Sequence, residues 1–209
     1  MARYTKANCR LCRRQGEKLF LKGNKCNATK CTLTKRAFPP GQHGQNRAGK
    51  LSNYGLQLKE KQKVKRIYGV LEKQFRRYFD LASKSKGVTG KVLLQLLERR
   101  LDNVIFRMCL ATSRAQARQV VRHNFVLVNS KRVNIPSYFV DVNDVVEIRA
   151  KDKAKKKILE NIELSKDRTI ASWLEMNTQD LKAKVLRLPD KNDIAMPIQE
   201  QLIVELYSK

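Results

Sequence analysis

Between residues 1 and 90, Lys and Arg outnumber Asp and Glu by 23 to 4. A stretch this one-sided repels itself and attracts polyanions. Residues 91–209 are milder, with 22 basic and 15 acidic side chains, and the whole chain of 209 residues carries a formal charge of +26. Nucleic acid is therefore the first candidate partner and an anionic membrane surface the second, with the front portion as the main electrostatic footprint. The apolar share of 42% is ordinary, so the chain is expected to fold, as one large domain or two small ones. No run approaches the roughly 18 apolar residues needed to span a bilayer. The start, "MARYTKANCR", is basic with no apolar run behind it and does not read as a secretory signal. Some organelle transit peptides share its lack of acidic residues before Glu17, but a cysteine pair so near the start argues against a removable leader. An intracellular protein is expected.

That cysteine pair belongs to a quartet. "CRLCRRQGEKLFLKGNKCNATKC" places Cys9 and Cys12 two residues apart, then thirteen residues, then Cys26 and Cys31 four apart. Two short-spaced pairs across a loop can set four thiolates tetrahedrally around Zn²⁺. Arg10, Arg13, Arg14, Lys18, Lys22, Lys25 and Lys30 crowd the segment. Such cations favour thiolates and offset the negative charge of a zinc tetrathiolate. Idle reduced thiols are the bland alternative. A redox pair lacks the flanking strand–helix pattern, and a catalytic zinc needs an open position that four Cys do not leave. One structural zinc ion is the expectation, with Gly16, Gly23 and Asn24 supplying turns. Cys109 stands apart on an apolar face and reads as core.

Further along, "RAFPPGQHGQNRAGKLSNYG" is a Pro/Gly-rich basic loop carrying Arg36, Arg47 and Lys50. Its His43 has no partner that suggests catalysis. Residues 56–82 predict one helix, with Val64, Ile67, Leu71, Phe75 and Tyr78 on an apolar face and Lys59, Lys63, Arg66, Lys73 and Arg77 largely on the other. A solvated face is the usual reading of such charges. The scarcity of acids among them favours contact with phosphate. Phe79 either packs or stacks on a base. "SKSKGVTG" reads as a hinge, and residues 91–112 predict a second helix with Leu94, Leu97, Leu101, Val104, Ile105 and Met108 inward. Ser113 and Gln116 form a capping-box signal for a third. That helix carries Arg114, Arg118 and Arg122 at four-residue steps, and Asn124 closes it. Short strands follow: "FVLVN" and "KRVNI" around Asn129-Ser130, then "SYFV" and "DVVEIR". A basic helix over 151–165, strands in "SWLEMN" and "AKVLRLP", and a last helix from Pro197 complete the reading.

The fold class expected is mixed α+β. Its segments are a zinc knuckle and basic loop (1–45), a helical basic region (46–98), a helix–helix–sheet module (99–160) and a mixed C-terminal extension (161–209). There is no glycine-rich phosphate loop, no H-E-x-x-H and no nucleophile elbow, and His43 and His123 stand far apart. Nothing here calls for an enzyme or a small-molecule substrate.

"SRAQARQVVRHNFVLVNSKRV" resembles the small RNA-binding domain named for ribosomal protein S-four. "MARY", "FPPGQHGQ", "YGLQLKEKQKVKRIYGVLEKQFRRYF", "WLEMN", "KVLRLP" and "IQEQLIVELYSK" extend the likeness, in order, across the chain. It is similar to the bacterial small-subunit ribosomal protein S-four family, in its four-cysteine, zinc-binding version. Where that family often has Gly, this chain has Asn124 and Ser130.

The resemblance implies a structural ribosomal protein, in the cytoplasm unless the ribosome is organellar. It would bind small-subunit rRNA at a junction of helices near the RNA's 5′ end, early in assembly, and bear on translational accuracy. It also implies contact with ribosomal proteins S-five and S-three and with mRNA near its entrance, and no homo-oligomer. RNA-binding candidates are Arg3, Arg10, Arg13, Arg14, Arg36, Arg47, Lys50, Lys59, Lys63, Arg66, Lys73, Arg77, Arg114, Arg118, Arg122 and Lys131. Gln199 and Glu200 are the candidate S-five contacts, and Cys9, Cys12, Cys26 and Cys31 the zinc ligands. Two other readings are an RNA-modifying enzyme that uses the module as a tether and a zinc-finger DNA regulator. The first lacks room and motifs for a catalytic domain; the second lacks a base-reading helix on the finger.

Overall fold

The computed structural model describes residues 2–46, 49–165, 168–194 and 196–208. In chain order the helices are α1 (Asn8–Gln15), α2 (Asn24–Asn27), α3 (Thr32–Lys35), α4 (Asn53–Ile67), α5 (Glu72–Lys84), α6 (Thr89–Glu98), α7 (Leu101–Arg107), α8 (Arg114–Arg122), α9 (Asp152–Glu163) and α10 (Glu200–Tyr207). The strands are β1 (Val126–Val128), β2 (Lys131–Arg132), β3 (Val145–Ile148), β4 (Leu174–Asn177) and β5 (Lys182–Val185). The class is mixed α+β. The chain divides into two compact units, Met1–Leu93 with Met196–Lys209, and Leu94–Ala195.

In the first unit, the single helix expected over 56–82 is two helices. Ser52 caps α4, its Oγ accepting the Gly55 N–H at 3.2 Å. The helix then ends at Gly69, whose φ of 63° lies in the left-handed region that favours glycine. Gly69 N–H donates to the Arg66 carbonyl and Val70 N–H to the Lys65 carbonyl, the paired bonds of a Schellman stop. Val64, Ile67, Phe75 and Tyr78 remain buried, but Leu71 falls in the connection and is exposed. Phe79 packs inside, its ring stacked 4.5 Å from that of Tyr207 in α10. Helix α10 starts at Glu200, three residues after Pro197. It lies along α4 and against Gly90, where a Cβ would come within 2.6 Å of Glu200 Cγ.

In the second unit, the helix expected over 91–112 also breaks. Arg100 is extended and forms an antiparallel bridge with Phe139. Leu101 N–H donates to the Tyr138 carbonyl and Val140 N–H to the Arg99 carbonyl. "SYFV" is thus a single bridge against the helix break instead of a strand. The inward residues of α6 and α7 are buried as the periodicity requires, and Cys109 joins them. Ser113 Oγ accepts the Gln116 N–H, but Gln116 Oε1 reaches one residue beyond the cap, to the Thr112 N–H and hydroxyl at 2.8 and 2.7 Å. Asn124 closes α8 at φ 62°.

The sheet order is β2-β1-β3-β5-β4, every pairing antiparallel. Asn129 and Ser130 both take positive φ, 48° and 64°, which a two-residue hairpin turn needs to match strand twist. Asn129 also bridges to β3: its Oδ1 accepts the Val145 N–H and its amide donates to Asp144. Because β5 pairs with β3, "SWLEMN" and "AKVLRLP" complete the same sheet. One apolar core, from Leu101 through Trp173 to Val185, fills the space between this sheet and helices α7, α8 and α9.

Candidate nucleic-acid interface and cysteine cluster

The cysteine segment is three short helices, α1 to α3, joined by turns, with α1 packed on α3 and α4. Gly16 and Gly23 take positive φ, 80° and 62°, and allow the chain to reverse between the cysteine pairs. Cys12 and Cys26 are buried, and Cys9 and Cys31 half-buried; all are free thiols. The Leu19 N–H bonds to Cys12 and the Lys22 N–H donates to Cys26 Sγ at 3.3 Å. Burial pushes the Cys12 and Cys26 thiols up, and each is raised further by the charge of the other cysteines. Burial also acts on Cys31, but backbone N–H groups of Leu33 and Thr34, with Lys18 nearby, hold it below the usual thiol value. This donor set, soft sulfur with backbone N–H groups aimed at it, suits zinc. Among the described residues, however, no group of three or more His, Cys, Asp or Glu is arranged to hold a metal ion.

Several of the cations expected to meet RNA are first used inside the protein. Arg13 lies over the Phe38 ring and donates to the Phe38 carbonyl at 2.9 Å; Arg14 donates to the Pro40 carbonyl. These two residues pin the Pro/Gly loop to α1. Lys63 is buried and pairs with Glu17 at 2.9 Å. Arg66 donates to Gln15 Oε1, while the Gln15 amide donates to the Lys59 carbonyl. Burial, with Arg14 nearby, lowers the Arg66 pKa from its usual value. Arg3, Arg10, Arg36, Lys50, Lys73 and Arg77 are exposed and Lys59 half-buried. Arg47 lies outside the described residues.

The three-arginine helix α8 divides the same way. Arg114 donates to Asn103 Oδ1 at 2.8 Å and lies 4.4 Å over the Phe106 ring. Arg118 pairs with Asp102, which also takes two bonds from the fully buried Arg100. Next to them, Glu98, with no exposed surface, takes two bonds from Arg107 and one from Asn103. A buried charge is tolerable only when paired and hydrogen-bonded in this manner. Arg122 and, on the hairpin, Lys131 are exposed. At the C-terminus, the exposed Gln199 donates its N–H to Glu60, and Glu200 lies half-buried beside Gly90.

Residues 3–98 match the family described as Ribosomal protein S4/S9 N-terminal domain, and residues 99–146 match the S4 domain. Over all 209 residues, and all of each relative, the chain is 57% identical to small ribosomal subunit protein uS4 of Acetivibrio thermocellus. The figure is 58% for the same protein of Caldicellulosiruptor saccharolyticus and 56% for that of Clostridium tetani, again over both full lengths. The chain belongs to the uS4 family. It is a family of structural ribosomal proteins, not of enzymes. In this uS4-family chain, the carboxylates that hold the arginines, Glu98 and Asp102, were not singled out from sequence. A signal was there: with Leu94, Leu101 and Ile105 they share the three- and four-residue steps of the buried face. No helix among the described residues is long and apolar enough to cross a membrane.

Proposed function

We infer that this chain is a non-catalytic constituent of the small ribosomal subunit that binds its rRNA directly. The observation that carries this is end-to-end identity above half with several bacterial uS4 proteins. The geometry supports it: internal partners fix the arginine-bearing elements, and further cations on them stay exposed. A rigid basic protein lowers the repulsion where RNA helices converge and holds the angles between them. Recognition then rests on shape and phosphate, because the major groove of A-form RNA is hard to read.

In this reading the segments 1–45, 46–98 and 99–160 carry the rRNA contacts, and 161–209 adds the C-terminal element whose Gln199 and Glu200 meet ribosomal protein S-five. Ribosomal protein S-three and incoming mRNA are further neighbours, and the cytoplasmic ribosome is the location. Cys9, Cys12, Cys26 and Cys31 are the ligands of one structural zinc, which holds a self-repelling N-terminus in one shape. Support comes from the donor chemistry and from the backbone N–H groups aimed at two of the sulfurs.

Filter binding to a small-subunit rRNA 5′-domain fragment tests the reading. Neutralising about six phosphates makes affinity fall roughly a thousandfold between about 50 and 200 mM salt, by analogy with duplex DNA. Little salt dependence, or preference for duplex DNA over the RNA junction, overturns it.

A further inference from the structure

Helix α9 carries its charges in the wrong order for its own stability. A helix favours acids in its first turn and cations in its last. Apart from Asp152 and Ala154, the first half of α9 is Lys153, Lys155, Lys156 and Lys157, while Glu160 and Glu163 stand towards its C-terminal end with no basic residue in the last turn. Lys156 and Glu160 are spaced i,i+4 with the cation first, the weaker orientation. All four lysines are exposed, and among the described residues none of them pairs with a carboxylate. Elsewhere cations are neutralised internally, as Lys61, Lys63, Arg100 and Arg107 are.

The helix is nevertheless firmly seated. Ile158 and Asn161 are buried. Asn161 Oδ1 accepts from the Gln116 amide of α8 at 3.1 Å, and its own amide donates to the Leu110 carbonyl. Lys153 and Lys156, three residues apart, lie on the side of the helix away from Ile158, and Lys157, four residues before Asn161, flanks that anchor, so all three are held on a fixed helix. Leu159 and Leu164 are exposed towards the C-terminal end, but the lysine-bearing half exposes no apolar side chain, and a protein partner would need an apolar centre there.

We propose that the Lys153–Lys156–Lys157 face of α9 is a phosphate-backbone contact for RNA, beyond the contacts assigned to the cysteine segment, α4, α5 and α8. The proposal rests on the rRNA reading. The lysines repel the helix N-terminus and one another in the free protein, and RNA phosphate removes both penalties at once.

The test compares the full chain with K153Q/K156Q/K157Q on the same rRNA fragment. Three lost phosphate contacts lower the slope of log affinity against log salt by about 2 to 3. The variant then loses about 20- to 40-fold less affinity than the parent between roughly 50 and 200 mM salt. Its melting temperature stays equal or rises, which a merely structural role for these lysines does not allow. An unchanged slope overturns the proposal, as does a fall in melting temperature alongside weaker binding. So does an equal slope change in the charge-matched variant K182Q/K184Q/K191Q, which lies outside the segments assigned rRNA contacts, since bulk charge would then explain it. If the parent chain itself fails to bind the fragment, the rRNA reading falls and this proposal with it; if the parent binds and only the slope is unmoved, this proposal alone falls.

Discussion

The Tyr207 hydroxyl donates to Glu72 Oε1 at 3.0 Å, and Lys61 reaches the same oxygen at 2.6 Å. Lys65 takes the other oxygen at 2.7 Å. One carboxylate at the start of α5 thus joins α4 to the C-terminal helix, 135 residues away in sequence. The Tyr207 ring adds a stack on Phe79 and a face for the Lys61 ammonium at 5.4 Å. Nothing in the local sequence announces this; it exists because α10 returns to lie along α4.

The arrangement sets an acid limit on the first unit. Partial burial raises the Glu72 pKa, but bonds from Lys61, Lys65 and Tyr207 outweigh it and hold the carboxyl at about 2, below the ordinary 4.5. A depressed carboxylate contributes stability that is full above about pH 4.5 and lost as pH falls towards 2. Thermal melts of Glu72→Gln should therefore lie below the parent near neutrality and converge with it at the acid end. With Glu72 about half exposed, the neutral-pH loss is about 1 kcal/mol. Asp193, held at about 2 chiefly by Arg187 against partial burial, keeps some acid dependence in the second unit of the variant. Parallel profiles for parent and variant at all pH values would show that Glu72 is not the group titrating.

The alkaline side has the opposite sign. Burial, and then the bond to Glu72, raises the Tyr207 pKa above its usual 10. The contribution of its neutral form is complete below pH 10 and declines as pH rises beyond it. Tyr207→Phe removes that decline while keeping the stack on Phe79. Circular-dichroism melts at pH 8 and above 10, compared between parent and variant, measure the difference.

In the second unit, Asp102 holds two guanidiniums. Arg100 has no exposed side-chain surface and Asp102 has 6%, so Asp102→Asn leaves a buried cation short of its counter-charge. Removing one partner of a buried pair costs about 3–5 kcal/mol. Urea unfolding of the variant should show that loss, with the transition of the second unit moved and the Trp173 fluorescence reporting it. A loss under about 1 kcal/mol would mean that the site readily admits water.

What could be read from the sequence divides along physical lines. Every inward apolar position that periodicity named on α6 and α7 is buried, because a 3.6-residue repeat is a local property, whereas the buried polar Glu98, Asp102 and Asn103 went unnamed. Periodicity missed both helix breaks, because each depends on a partner or a stop that it ignores. The first had a local sign, Gly69 following Lys65 and Arg66. The second is caused by Phe139 and Tyr138 arriving from elsewhere, which no local rule supplies. The positive φ at Asn124 and the turn at Asn129-Ser130 were legible because turn chemistry is local too, but the left-handed backbone of Ser130 was not. The basic character of the candidate interface came straight from the charge count. Which cations remain exposed did not, since Glu17, Glu98 and Asp102 choose their partners only after folding.

For the cysteine segment, purified protein should contain about one zinc per chain, and Cys9→Ser should lower that occupancy. Because Cys9, Cys12 and Cys26 sit on short helices and Cys31 caps another, metal loss should raise amide exchange through residues 8–35 and leave β1, β3 and β5 protected. Hydrogen-exchange mass spectrometry with and without a chelator separates the two regions. Metal-free protein with an already protected N-terminal segment would leave the cysteines as core residues alone.

The arginines of α8 provide the last test, because the structure assigns them different duties. Arg118 is bonded to the nearly buried Asp102, whereas Arg122 is exposed at the helix end. Arg122→Gln should keep the melting temperature and weaken rRNA binding, reducing the salt slope by about 1. Arg118→Gln should lower stability first, because Arg100 then bears Asp102 alone, and weaken RNA binding as a consequence of a displaced α8. Measuring melting temperature and salt slope on both variants distinguishes the roles. If Arg122→Gln left the slope intact while Arg118→Gln lowered it without loss of stability, the phosphate contact would belong to Arg118, and its bond to Asp102 would serve to aim it.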